Sequence, residues 1–130
     1  MRFMGMDCKM YIGGRWTGGR SYFEDLNPAT GEVIARFPNG TEDDVDKAVY
    51  AAHQAFKSWS STPAPHRAQI LLRISQIMKE EKQRLGRLVA SEMGKVMPEA
   101  LGDVQEAIDT FEYFSGEGRR LFGSTTTSEL

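Results

Sequence analysis

Between Asp25 and Ala35 the chain reads Asp-Leu-Asn-Pro-Ala-Thr-Gly-Glu-Val-Ile-Ala, and this run divides the sequence into two kinds of structure. Asn27-Pro28 favours turn initiation, and Gly31 permits the positive φ that a tight reversal needs. Glu32 to Phe37 carries Val33, Ile34 and Phe37 and leans to β. Pro38-Asn39-Gly40 closes that strand. Thr41-Glu42-Asp43-Asp44 follows at once as a helix start. A β-rich opening therefore ends near residue 40, and a helical body begins.

The opening predicts short strands at Met10-Tyr11-Ile12 and Arg15-Trp16-Thr17, joined by Gly13-Gly14 as a hairpin turn. Gly18-Gly19 breaks the second strand, and Ser21 to Leu26 forms a third extended piece. An isolated hairpin is marginal in water, so these strands need something to lean on.

Three helices follow. The first takes Thr41 as its N-cap, with Asp44 completing a capping box in place of the usual Glu or Gln. Its apolar positions Val45, Ala48, Val49, Ala52, Ala55, Phe56 and Trp59 recur at helical spacing and predict close packing, with an end near Ser58 to Ser61. The second helix starts at Pro65 and carries Ile70, Leu71, Ile74, Ile77 and Met78, then Leu85, Leu88, Val89 and Met93 after a bend near Gly86. Lys79 to Lys82 is a solvated charged stretch within it, and Gly94 is the C′ residue. Pro98 opens the third helix, whose stripe is Leu101, Val104, Ile108, Phe111 and Phe114. Gly116 and Gly118 weaken its continuation.

The 130 residues suggest one domain, and a net charge of −2 gives no electrostatic case for nucleic acid or an anionic membrane. No apolar run approaches the ~20 residues of a membrane helix. Arg2, Asp7 and Lys9 interrupt the first residues, so no signal peptide is expected and the expected compartment is the cytoplasm. Cys8 is the single cysteine, which leaves no intrachain disulfide.

No candidate chemistry is complete. Cys8 lies in the lead-in without a nearby histidine to activate it. Gly116-Glu117-Gly118 lacks the third glycine of a dinucleotide fingerprint, since position 121 is Leu, and it follows a helix instead of a strand. His53 and His66 have no second ligand at metal spacing. Glu99, Asp103, Glu106 and Asp109 form a solvated face opposite the apolar stripe of their helix. The residues therefore name no catalytic, cofactor-binding or metal site. What they describe is a set of amphipathic helices shaped to pack on something.

The order of motifs resembles the N-terminal region of the NAD(P)-dependent aldehyde dehydrogenase superfamily. The marks are Tyr11-Ile12-Gly13-Gly14-Arg15-Trp16, Asn27 to Ala35, Asp44 to Val49 with Trp59, Pro65 with Arg67 and Leu71-Leu72, Ser91 to Lys95, and Asp103-Val104 ahead of Phe111-Glu112-Tyr113-Phe114. The resemblance runs from about Lys9 to the end. Gly116 to Gly123 is similar to the branch acting on 2-oxoglutarate semialdehyde and succinate semialdehyde.

The resemblance implies a parent that oxidises an aldehyde to a carboxylic acid through a cysteine thiolate, with hydride passing to NAD or NADP and a glutamate-activated water releasing the thioester. Those groups and the Rossmann strands lie downstream in the family, and Cys8 does not correspond to the nucleophile. Some members bind a monovalent cation near the third helix, where Asp103 is the nearest counterpart. The expectation is an α-rich α+β arrangement: a flexible lead-in over 1–9, the N-terminal portion of an NAD(P)-binding domain over 10–123, and a truncated extended tail over 124–130. Alone, such a chain is expected to be inactive and to bind no cofactor, with aldehyde a partner of the parent only. The alternative is a stand-alone helical interaction or oligomerisation module. On either reading, faces built on Leu71, Ile74, Val104, Ile108 and Phe111 are expected to be partly uncovered, favouring self-association or a complementary chain.

Overall fold

In a computed structural model, residues 6–123 are described, so most of the expected lead-in (1–5) and the whole expected tail (124–130) fall outside the described residues. Among the described residues, five strands precede four α-helices and a short 3-10 turn. β1 (Met6–Asp7), β5 (Val33–Pro38) and β4 (Tyr22–Leu26) make one sheet in the order β1-β5-β4, with β1 parallel and β4 antiparallel to β5. β2 (Met10–Ile12) and β3 (Arg15–Thr17) form a separate hairpin. Its turn residues Gly13 and Gly14 have φ of 58° and 79°, the pair of positive values that a two-residue hairpin requires. Residues 6–7 of the expected lead-in are thus a strand: Met6 pairs with Ala35, and Cys8 continues the ladder by donating its N–H to the Arg36 carbonyl at 2.8 Å.

The turn between β4 and β5 forms as its residues dictate. The Asn27 side chain accepts from the Ala29 N–H at 2.9 Å, and its carbonyl accepts from Gly31 at 2.7 Å. Gly31 takes φ 72°.

α1 (Glu42–Ser61) starts at a complete capping box. The Asp44 N–H donates to the Thr41 hydroxyl at 3.3 Å, and the Thr41 N–H donates to the Asp44 carboxylate at 2.9 Å. The expected second helix is divided at Glu81 into α2 (Ala64–Glu80) and α3 (Lys82–Met93). The break falls in the charged stretch and not at Gly86, which lies buried within α3. A Cβ on Gly86 would meet Leu101 Cδ2 at 2.7 Å, so the glycine serves a close helix approach instead of a bend. α3 ends at Gly94 in the left-handed conformation, φ 73°. α4 (Met97–Ser115) is followed by the 3-10 turn Glu117–Arg119.

α2 and α3 both pack antiparallel along α4, as their bridging pairs show: Lys79 with Glu112 at 2.5 Å, Lys82 with Gln105 at 2.6 Å, and Gly86 against Leu101. The buried residues of this layer are Ala68 and Ser75 from α2 and Gly86 from α3, with Ala100, Val104 and Ile108 from α4. Small side chains at the contact let the helices approach closely. The expectation that Val104 and Ile108 belong to an uncovered face is corrected here: they are 4% and 0% exposed because α2 covers them.

α1 behaves in the opposite way. None of its residues is buried, although its Ala-rich face predicted close packing. Its main neighbour is the hairpin, where Gly13 lies against Ala51. Val49 and Phe56 are each 62% exposed.

Candidate functional site

A concave surface lies between the three-stranded sheet and α3. It is a cavity of about 320 Å³ whose polar lining is Cys8, Asp25, Arg84, Ser91 and Glu92, against Ile34, Phe37 and Leu88. β5 carries Ala35 into its floor, and the pleat that buries Ala35 is set by pairing with Asp25 on one side and Met6 on the other. Cys8 is half-buried there. Arg84 forms an ion pair with Glu81, one turn earlier on the same surface. His53 and His66 line neither this cavity nor the next, and both are exposed. No histidine lines the cavity beside the Cys8 thiol to act as its base.

A second cavity of about 310 Å³ lies where Trp59, the start of α2 and the end of α4 meet. Arg67 and Glu117 are its polar groups. Glu117 is held by Arg120 at 2.6 Å, and that hydrogen bond raises the arginine above its ordinary value. The Gly116-Glu117-Gly118 run sits here, and its geometry explains the glycine. A Cβ on Gly118 would come within 2.4 Å of Ala68 Cβ and 2.7 Å of the Ala64 carbonyl oxygen. The residue is needed for helix packing, not for approach to a phosphate.

The acidic residues of α4 separate in role. Glu99, Glu106 and Asp109 are exposed. Asp103 is half-buried and accepts from Lys95 at 2.5 Å. That hydrogen bond, more than the nearby charges of Asp103, Glu99 and Glu106, raises the Lys95 ammonium above its ordinary value. Asp103 is therefore committed to a lysine. Among the described residues, no three His, Cys, Asp or Glu side chains gather as metal ligands, and no helix is long and apolar enough to cross a membrane.

A dinucleotide's phosphates need a glycine-rich turn between a strand and a helix N-terminus. The described residues offer no such cradle. The helix that follows β5 begins with Glu42, Asp43 and Asp44, and the Asp44 carboxylate already occupies the cap. The cavity lined by Cys8, Asp25, Arg84 and Glu92 had no signal in the sequence, because its members come from four separate stretches joined only by tertiary packing.

Comparison with known proteins places this geometry. Residues 16–129 match the model of the Aldehyde dehydrogenase family. Malonate-semialdehyde dehydrogenase 1 of Geobacillus thermodenitrificans is 45% identical over 117 residues, which are 88% of this chain and 24% of the relative. The crystal structure of lactaldehyde dehydrogenase from Escherichia coli superposes with a TM-score of 0.90 at 32% identity, covering 98% of this chain and 27% of that one. Betaine aldehyde dehydrogenase from Staphylococcus aureus, solved in complex with NAD+, gives 0.87 at 30% identity over 94% of this chain and 25% of its own. The chain thus spans about a quarter of the length of the proteins it matches.

Proposed function

The chain belongs to the aldehyde dehydrogenase family, and from that premise we propose that it serves as the N-terminal part of an NAD(P)-dependent dehydrogenase that oxidises an aldehyde to a carboxylic acid. The observation that carries this reading is the family match over residues 16–129. The parent substrate is a semialdehyde, an aldehyde bearing its own carboxylate. That class is shared by the malonate-semialdehyde dehydrogenase relative and by the branch that Gly116 to Gly123 resembles. The compartment is the cytoplasm.

The described residues do different work from catalysis. The turn between β4 and β5 meets the C-terminus of α3 where Pro28 lies against Gly94, and α2, α3 and α4 pack as one layer. The thiolate, the water-activating carboxylate and the dinucleotide contacts belong to the remaining three quarters of a family-length polypeptide, so the chain by itself is inactive and binds no NAD(P). A second reading, a helical interaction module, is favoured by one observation: α1 has no buried residue.

Incubating the purified chain with malonate semialdehyde and NAD+ tests the reading. The expected result is no NADH above the protein-free rate. NADH formation in proportion to added chain, surviving repurification, overturns it.

A further inference from the structure

We propose that the cavity where Trp59, the start of α2 and the end of α4 meet is a binding site for a small monocarboxylate with an apolar body, and that Arg67 holds the carboxylate. The inference stands apart from the functional reading above, because a chain that forms no NADH can still bind this ligand.

One end of the cavity is charged and unanswered. The Arg67 guanidinium is always protonated and carries only donors. Its Nε is buried and has no acceptor among the described residues. Arg67 enters none of the ion pairs among those residues. A buried donor without an acceptor is costly, and folded proteins leave few of them. The carboxylate in the same lining, Glu117, is engaged by Arg120, whose Nε and Nη2 donate to it at 3.1 and 2.6 Å. The charge of Glu117 is thereby offset, and that of Arg67 is not. α2 adds to the positive end. Its first turn holds no acidic residue and its N-cap, Pro63, makes no side-chain hydrogen bond, so the start of this 17-residue helix favours an anion.

The other end is apolar. Trp59, Leu71, Phe114 and Leu121 line the rest of a volume of about 310 Å³. That volume lies at the lower edge of the range for small-molecule sites and suits a single ring or a short branched chain. These walls discriminate between ligand classes. An inorganic anion would leave the aromatic walls uncovered, and a neutral apolar molecule would leave the guanidinium without an acceptor. A carboxylate on an apolar body answers both, and a carboxylate matches the planar fork of an arginine.

Phenylacetate is the probe for the test. Trp59 is the reporter, in a Trp16→Phe background that removes the other of the two tryptophans. The expected result is a saturable, one-to-one change in fluorescence with phenylacetate. Phenylacetamide and inorganic phosphate should each bind at least tenfold more weakly. Arg67→Gln should weaken phenylacetate binding at least tenfold. Arg73→Gln, which removes an exposed arginine from the same helix, should bind like the parent. Leu121→Glu decides the matter where Arg67→Gln fails to fold. Leu121 is 66% exposed and lies outside the helices, so the variant should keep the far-ultraviolet circular dichroism of the parent. Its carboxylate at the cavity should weaken phenylacetate binding at least tenfold.

Absence of saturation by about 10 mM phenylacetate overturns the proposal. A cavity already filled by another segment of the chain would give that result. Equal binding of phenylacetamide would leave an apolar pocket without a carboxylate site, and equal binding of phosphate would leave a charge without a pocket. Either overturns the proposal, as does a folded Arg67→Gln or Leu121→Glu chain that binds like the parent, or an Arg73→Gln chain weakened as much as Arg67→Gln.

Discussion

The ring of Pro28 occupies the space that a side chain on Gly94 would need: a Cβ on Gly94 would come within 2.9 Å of Pro28 Cγ. The two residues lie 66 positions apart in the sequence. One belongs to the turn that ends the β-rich opening and the other caps α3 at φ 73°. Through this contact the sheet is seated on the helical layer. Gly94→Ala combines left-handed strain with that clash and should destabilise the chain by about 1–2 kcal/mol. Adding Pro28→Ala should recover part of the loss. Urea unfolding of the two single variants and the double measures both effects, and strict additivity would remove the contact from the account.

Gly118 and Gly102 should respond to alanine with opposite signs. A Cβ on Gly118 meets Ala68 at 2.4 Å, whereas one on Gly102 meets nothing within 4 Å. Gly118→Ala should cost about 1–3 kcal/mol through overpacking. Gly102→Ala, inside α4, should gain about 0.5–1 kcal/mol through helix propensity. Thermal melts of both variants decide it, and a shared sign would contradict the structure.

The core is concentrated between α2 and α4, and α1 stands outside it. Ile108→Ala removes a fully buried side chain and should cost about 2–5 kcal/mol. Val49→Ala, at a position 62% exposed, should stay within about 0.5 kcal/mol in the isolated chain. Comparable losses at the two sites in chemical denaturation would mean that α1 is packed in solution.

Asp44 links the start of α1 to pH. The Thr41 N–H, and then its hydroxyl, hold the Asp44 carboxyl below its ordinary value of 3.8. A lowered folded pKa gives stability that is present above the unfolded value and lost as pH falls through the folded one. The stability gap between the parent and Asp44→Ala should therefore be constant from neutrality to about pH 4 and shrink below it. A gap that widens on acidification would reverse the sign. Thr41→Ala should cost about 1 kcal/mol at neutral pH by removing the cap.

Much of the fold was legible because its signals are local. Gly13-Gly14, the Asn27 turn, Thr41 with Asp44, and Gly94 each specify a conformation within a few residues, and the structure adopts all four. The break at Glu81 was not legible, since Lys79 to Lys82 are ordinary helix formers. The helices on each side of Glu81 both lie along α4. Periodicity marks which face of α1 is apolar but not what covers it, so the expected burial there did not hold within the described residues. The cavity holding Cys8, Asp25, Arg84 and Glu92 was invisible for a related reason: its residues meet only after the sheet is placed on α3.

The central claim is that this chain works as the leading part of a longer dehydrogenase. Intact-mass measurement of the product carrying this sequence in its native source tests it most directly. The account predicts a species about fourfold heavier than 14.6 kDa, in keeping with the 24% of the Geobacillus relative that the chain covers. A native product at 14.6 kDa would contradict it.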